Sequence, residues 1–175
     1  MKIDIEKAKS QNVDFICVNI HWGIEYRLKP TEEQKELANF LFQNGVDIIF
    51  GSHPHVLEPM EKKTITTNEG EEKEVFVIYS FGNFISGQVA ENTELSIILD
   101  VTVSKKGDNK KIEDISYAPI YMHNKGQGQK ERFQVLDIKK AIESYDNNAS
   151  NKVNAALYNK LKAGLNKIES IVEGK

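Results

Sequence analysis

Three of the four histidines in this 175-residue sequence lie in two short turns, and their arrangement suits metal coordination. His21 begins the sequence His-Trp-Gly, and His53 and His55 flank Pro54. Proline fixes its own φ and predicts an extended conformation for His53, which would hold the two imidazoles apart in a defined way. Imidazoles positioned in this way are common ligands of divalent metal ions. We interpret the three histidines together as metal ligands, although a lone histidine at a strand end is more often held by a hydrogen bond.

Two further polar side chains could take part in chemistry beside these histidines. Glu25 lies in the same segment as His21 and could orient an imidazole or act as an acid or base. Asn83 follows Gly82 in the sequence Tyr-Ser-Phe-Gly-Asn-Phe, where it could offer its amide to a ligand. The alternatives are an exposed loop carboxylate for Glu25 and a sharp turn between core aromatic residues for Asn83.

The elements that precede these turns have the pattern of a βαβ unit. Residues 13–20 and 46–50 are mostly apolar and predict two buried strands. Between them, Thr31 and Gln34 form a predicted capping box at the start of a helix, and Gly45 suits its end. The two strands should therefore be parallel, with the first covered on both faces. Ligands bind beyond the carboxyl ends of such strands, where both histidine turns fall.

The remainder of the chain has the pattern of antiparallel strands followed by helices. Strands are predicted over residues 56–63, 74–79, 94–103 and 111–121, and helices over 3–10, 137–145 and 151–172. We divide the chain at residue 136, with a helical segment over 137–175. The predicted class is α/β.

Composition excludes several classes of protein. The formal net charge is -3, and the 23 basic residues are mixed with acidic ones, so the sequence predicts no nucleic-acid partner. The single cysteine, Cys17, excludes an intrachain disulfide, and its apolar neighbours predict that it is buried. No stretch reaches the ~20 apolar residues of a membrane span, and we expect no signal peptide in this sequence.

The ordered motifs resemble one protein family. The motif His-Trp-Gly-x-Glu-Tyr, then Gly-Ser-His-Pro-His-Val, then Tyr-Ser-Phe-Gly-Asn-Phe is similar to the bacterial capsule synthesis protein CapA family over roughly residues 12–122. That family is associated with capsule and poly-γ-glutamate biosynthesis and belongs with the calcineurin-like metallophosphoesterases. The resemblance implies an αββα sandwich that holds divalent metal, often two ions of Mn, Zn or Fe. It implies His21 and His53 as ligands of one ion and His55 of the other, with His21, Glu25 and Asn83 in catalytic roles.

The sequence also departs from the family pattern. No Asp-x-His occurs in it, and neutral imidazoles alone make a poor site for two divalent ions. We therefore expect the C-terminal half of the αββα sandwich, a fragment with little activity by itself. The predicted function is a partial metal-dependent phosphoesterase-like hydrolase in capsule biosynthesis. The alternatives are a non-catalytic scaffold that binds metal or anionic polymer during capsule assembly or export, and a folded remnant without activity.

The resemblance also carries expectations about partners and location. The expected substrate is an anionic polymer or a phosphate-containing small molecule, and capsule-synthesis membrane proteins are expected partners. We expect the family to work outside the cytoplasm, at the cell envelope. Because half a sandwich would leave strand edges uncovered, we also expect a homodimer through an exposed sheet edge.

Overall fold

The computed structural model describes residues 1–107, 109–149 and 153–174, which form a mixed α/β structure with two sheets. The elements in chain order are α1 (Lys2–Lys9), β1 (Cys17–His21), α2 (Glu32–Gln43), β2 (Ile48–Ser52), β3 (Met60–Thr66), β4 (Glu72–Ile78), β5 (Leu95–Lys106), β6 (Asn109–Asn124), β7 (Phe133–Asp137), α3 (Ile138–Asp146) and α4 (Ala155–Val172). None of the helices in these ranges combines the length and the apolar character that a membrane span requires.

The first sheet has the strand order β1-β2-β4-β3. Strands β1 and β2 are parallel with α2 between them, which confirms the predicted βαβ unit, and His21 is the register partner of Ser52. Strand β4 is parallel to β2 and antiparallel to β3. The prediction that every strand after β2 is antiparallel is therefore wrong for β4. The cause is topological, because β3 lies at the sheet edge and the turn after it returns the chain beside β2.

Helix α2 begins and ends as its sequence predicts. The Thr31 hydroxyl accepts a hydrogen bond from the Gln34 backbone N–H at 3.2 Å, and the Gln34 side chain accepts one from the Thr31 N–H at 2.9 Å. Gly45 follows the helix with φ +110°, a conformation that favours glycine. The helix buries Leu41 and Phe42 completely or nearly so, and this apolar face fixes α2 against the first sheet.

Alternation along the central strands gives the first sheet two apolar faces. One face packs against α1 and α2 and includes Ile49, Val75 and Val77. The other face packs toward the second sheet, α3 and α4 and includes Ile48, Phe76 and Ile78. Because apolar side chains on both faces of β2 and β4 are buried, their removal from water stabilises this sheet.

Strand β1 is an edge strand, and one of its faces is exposed. Cys17, Asn19 and His21 are exposed, whereas Val18 and Ile20 between them are half-buried against the α2 side. The predictions that this strand is covered on both faces and that Cys17 is buried are therefore wrong. The core on the sheet face opposite α2 includes Ile48 of β2 but no residue of β1. The β1 side chains on that face are therefore exposed to solvent.

The second sheet is antiparallel, with the order β5-β6-β7. Strand β7 was not predicted, because its five residues include polar Gln134 and lead directly into a helix. The Asp137 carboxylate caps α3 by accepting from the Lys140 N–H at 3.0 Å, as predicted. Helix α4 begins after Asn154, later than predicted, and residues 151 and 152 of the predicted helix lie outside the described residues. Leu161 and Ile168 of α4 are fully buried in the core shared by the two sheets.

Candidate metal site

Three turns meet at the carboxyl ends of β1, β2 and β4. His21 ends β1, and the turn with His53 and His55 directly follows β2. The third turn follows β4, and its Phe81 N–H donates to the carbonyl of Gly51 in β2 at 3.2 Å. This edge of the sheet is where parallel strands place ligand sites, and it gathers all of the residues that the sequence singled out.

Glu25, His53 and His55 form a group that could hold a metal ion. Their ligand atoms lie within 4.8 Å of one another. The Nε2 atom of His55 is 3.9 Å from Oε1 of Glu25. Both histidines are half-buried and Glu25 is exposed, so the group opens to solvent on one side. Glu25, predicted as an acid or base, thus supplies the carboxylate that the histidines alone lack.

His21 lies beside this group without belonging to it. Its ring centroid is 4.5 Å from that of His53, with the ring planes tilted by 56°. Its Nδ1 atom is 3.4 Å from the hydroxyl of Ser52. The structure therefore brings His21 next to the group of three, and its role as a ligand or a catalytic residue stays a prediction.

The backbone at both histidines after β2 adopts positive φ values. His53 has φ +104° and His55 has φ +61°, so the extended conformation predicted for His53 is wrong. The loop after β1 holds this turn, because its Tyr26 N–H donates a hydrogen bond to the Pro54 carbonyl at 2.7 Å. Such conformations cost about 1–3 kcal/mol each and are concentrated at functional sites. The restriction that proline places on its neighbour was outweighed here by tertiary contacts.

A buried hydrogen bond joins Trp22, which directly follows His21, to the turn after β4. The Trp22 indole N–H donates to the Tyr79 carbonyl at 2.8 Å, and the two rings stack with centroids 5.9 Å apart. Gly51 packs closely against the same pair, because a Cβ atom there would be 1.9 Å from the Tyr79 carbonyl oxygen. Burial, and after it the carboxylates of Glu61 and Glu58, raise the pKa of Tyr79 to about 12. Trp22 and Tyr79 therefore support the site rather than exchange protons in it.

Glu58, three residues after His55, is a fully buried carboxylic acid. Its Oε2 atom accepts a hydrogen bond from the Gln34 amide at 2.7 Å, and its Oε1 atom has no partner among the described residues. Burial raises the pKa of Glu58 to about 7, although the Gln34 hydrogen bond and the charge of Arg27 oppose this. Sequence reasoning missed Glu58. A carboxylate directly after apolar Val56-Leu57 was the available signal.

Asn83 reaches the site from the turn after β4. Its Oδ1 atom is 2.9 Å from Nδ1 of His55. Gly82 before it has φ +73°, which confirms the predicted turn, and a Cβ atom there would be 2.7 Å from the Leu95 carbonyl oxygen. Asn83 therefore touches an imidazole of the group directly.

Comparison with known proteins identifies the family. The bacterial capsule synthesis protein family PGA_cap matches residues 1–88, about half of the chain. The chain belongs to this family. The PGA_cap match includes both histidine turns, Glu25 and Asn83, and this confirms the resemblance drawn from the motifs.

Two curated relatives within the capsule synthesis group are similar to the chain. The PGA biosynthesis protein CapA of Bacillus subtilis (strain 168) is 34% identical over 119 residues, which are 68% of this chain and 28% of that protein. The capsule biosynthesis protein CapA of Bacillus anthracis is 36% identical over 106 residues, which are 59% of this chain and 24% of that protein. The chain thus spans about a quarter of the length of the curated relatives it matches.

The donor set of this PGA_cap member fits a divalent metal ion. Two imidazoles and one carboxylate are a common ligand set of catalytic zinc. The same three ligands, with other coordination positions left open, also bind non-haem iron. A metal-bound imidazole usually donates its second N–H to a fixed acceptor, and Asn83 offers one to His55. The residues present could therefore hold one ion, whose identity they do not select.

Proposed function

We propose that this chain carries part of a metal-dependent, phosphoesterase-like hydrolase domain that acts in capsule or poly-γ-glutamate biosynthesis. The observation that carries the proposal is the convergence of Glu25, His53 and His55 within 4.8 Å at the carboxyl ends of parallel strands. Membership of the capsule synthesis family supports the biological setting. The proposed substrate is an anionic polymer or a phosphate-containing small molecule, and the proposed location is the outer side of the cell envelope with capsule-synthesis membrane proteins as partners.

We further propose that the fold is half of an αββα sandwich. Helices α1 and α2 pack on one face of the first sheet, and the opposite face shares its core with the second sheet and α4. This arrangement places the carboxyl ends of β1, β2 and β4 at one rim, where a second half-domain could add further ligands.

In the proposed chemistry a bound divalent ion would polarise a phosphoryl oxygen and lower the pKa of a water molecule. Glu25, His53 and His55 would hold the ion. His21 stands beside the group with its Nδ1 atom directed toward Ser52, so it could take or return a proton. The stacked Trp22 and Tyr79 are both buried, so they hold the segment that follows His21 against the turn after β4.

Calorimetric titration of Mn²⁺ and Zn²⁺ into the metal-free chain tests this proposal. We expect wild type to bind one ion, and we expect His53→Ala and His55→Ala each to weaken the affinity by at least about 100-fold, since each removes a ligand. His123→Ala is the matched control, because His123 lies on β6 outside the group. Unchanged metal uptake in both site variants would overturn the proposal.

An activity assay on the same protein preparation distinguishes the hydrolase from the non-catalytic scaffold. Hydrolysis of a chromogenic phosphodiester that depends on added metal and on His55 would support the hydrolase. Metal uptake without hydrolysis, together with retention of poly-γ-glutamate, would instead favour the accessory scaffold. We expect slow turnover by this chain alone, because its described residues supply only one carboxylate to the group.

We also propose a homodimer that pairs the edge of β1. This strand has a neighbour only on the β2 side among the described residues, and Asn19 is exposed on it. Asn19→Lys should shift the chain toward monomer in analytical ultracentrifugation, because a charge on an edge strand opposes strand pairing. Gln129→Lys in an exposed loop is the control. A wild-type monomer at high protein concentration would contradict the dimer.

A further inference from the structure

The amide of Asn83 is fixed in one orientation by its neighbours. Its Nδ2 atom lies 3.1 Å from the carbonyl oxygen of His55, 3.3 Å from that of Thr93, and 3.0 Å from Oε1 of Gln88. The two backbone carbonyls can only accept hydrogen bonds, so the NH₂ group must face them. The opposite orientation would place the amide oxygen against two carbonyl oxygens.

This orientation determines which nitrogen of His55 carries the proton. With NH₂ directed at the carbonyls, Oδ1 of Asn83 faces Nδ1 of His55 at 2.9 Å. An amide oxygen cannot donate, so Nδ1 must be the donor. In the neutral ring the lone pair then lies on Nε2, the atom that is 3.9 Å from the Glu25 carboxylate. A metal ligand requires this lone pair.

The segment around Asn83 is built to hold it in place. The Thr93 hydroxyl donates to the carbonyl of Ala90 at 2.6 Å and is also within 3.3 Å of that of Gln88. The Ser96 hydroxyl donates to the Phe81 carbonyl at 2.7 Å, which ties the turn to β5. Thr93 and Ser96 are both nearly fully buried. The acceptors of the amide are therefore ordered by the fold and do not depend on a ligand.

The same amide also supports the backbone of His55. A residue other than glycine at φ +61° is strained by about 1 kcal/mol or more. The hydrogen bond from Nδ2 of Asn83 to the His55 carbonyl holds this peptide from one side while Oδ1 holds the ring from the other. One side chain therefore constrains both the backbone and the imidazole of the same ligand.

We propose that Asn83 is a positioning residue that holds His55 as the Nδ1–H tautomer, with Nε2 presented toward Glu25 and a divalent cation, and that it does not ligate the ion itself. The inference rests on the proposed function and gives Asn83 a role different from the catalytic one that the motif suggested. In this role Asn83 is a residue that hydrogen-bonds to a metal ligand. Loss of such a residue usually weakens metal affinity by about 10- to 100-fold.

Nitrogen NMR of the histidine rings in the metal-free chain tests the tautomer directly. We expect the His55 signal of wild type to report a protonated Nδ1 and an unprotonated Nε2. In Asn83→Ala we expect a mixture in which Nε2–H is populated, together with Zn²⁺ affinity weaker by about 10- to 100-fold. Gln88→Ala is the matched control, because it removes one acceptor of Nδ2 and leaves the bond between Oδ1 and Nδ1 intact.

A third variant distinguishes positioning from general support of the fold. Asn83→Asp keeps an acceptor for Nδ1 and should restore the Nδ1–H tautomer even where the lost donors lower stability. An Nε2–H tautomer in wild-type His55, or an unchanged tautomer and affinity in Asn83→Ala, would overturn the inference. Should the wild-type chain take up no metal, the proposed function fails, while the tautomer still decides the role of Asn83 toward His55.

Discussion

Replacing Gly51 by alanine should destabilise the protein by about 2–6 kcal/mol, the largest effect of a single methyl group that we expect in this structure. A Cβ atom at this position would lie 1.9 Å from the Tyr79 carbonyl oxygen and 2.6 Å from Nε1 of Trp22. Either β4 must move away from β2, or Trp22 must leave. Overpacking costs about 1–3 kcal/mol, and breaking the buried bond from Trp22 to Tyr79 adds about 1–3 kcal/mol.

Urea denaturation followed by circular dichroism measures this loss. Gly87→Ala is the matched control, because the nearest contact of its added methyl group is the ring of Phe133 at an ordinary 3.6 Å. If Gly51→Ala does not fold, the double variant with Trp22→Phe should recover part of the stability, since it removes one of the two clashing groups. A Gly51→Ala protein as stable as wild type would show that Gly51, Trp22 and Tyr79 are less tightly packed than we describe.

The stability of the protein should fall by up to about 3 kcal/mol between pH 5 and pH 8 because of Glu58. The folded-state pKa of this carboxyl is about 7, against 4.5 for an unperturbed one. Between these values the folded chain holds the proton more firmly than the unfolded chain, so stability is full below pH 4.5 and is lost as the pH rises through 7. The difference in pKa corresponds to about 3 kcal/mol.

Glu58→Gln should remove this dependence. A neutral amide can still accept from Gln34, and it avoids burying a negative charge whose second oxygen lacks a partner among the described residues. We expect a melting temperature higher by about 5–10 °C at pH 8 and nearly unchanged at pH 5. Glu36→Gln on the exposed side of α2 is the control. An equal change at both pH values would show that the effect does not come from ionisation of Glu58.

Short sequence motifs correctly predicted the structural features that depend only on neighbouring residues. The capping box of Thr31 and Gln34 determined the start of α2, and Gly45 its end, because both act within one turn of helix. The parallel pairing of β1 and β2 followed from the helix between them. The same pairing predicted that the two histidine turns lie together, since the carboxyl ends of neighbouring parallel strands meet at one edge of a sheet, whereas the roles of Glu25, His53, His55 and Asn83 stay predictions.

Features that depend on distant parts of the chain were not predictable in the same way. The exposure of Cys17 depends on the place of β1 at the edge of its sheet, which no local pattern records. The parallel pairing of β4 depends on the placement of β3 at the edge. The positive φ of His53 is imposed by the loop that contacts Pro54. The partner of Asn83 was also hidden, because the bond to His55 joins residues from separate turns.

The exposed face of β1 offers a reporter position beside the candidate site. Cys17 is the only cysteine of the sequence, it is exposed, and it points to the same side of the strand as His21. Four residues of strand place the two Cα atoms about 13 Å apart. Partial desolvation and the Asp47 carboxylate raise the pKa of the Cys17 thiol, so attachment of a label calls for mildly alkaline solution. A fluorophore or spin label can thus be joined to the unaltered chain, within range of quenching or relaxation by a paramagnetic ion such as Mn²⁺.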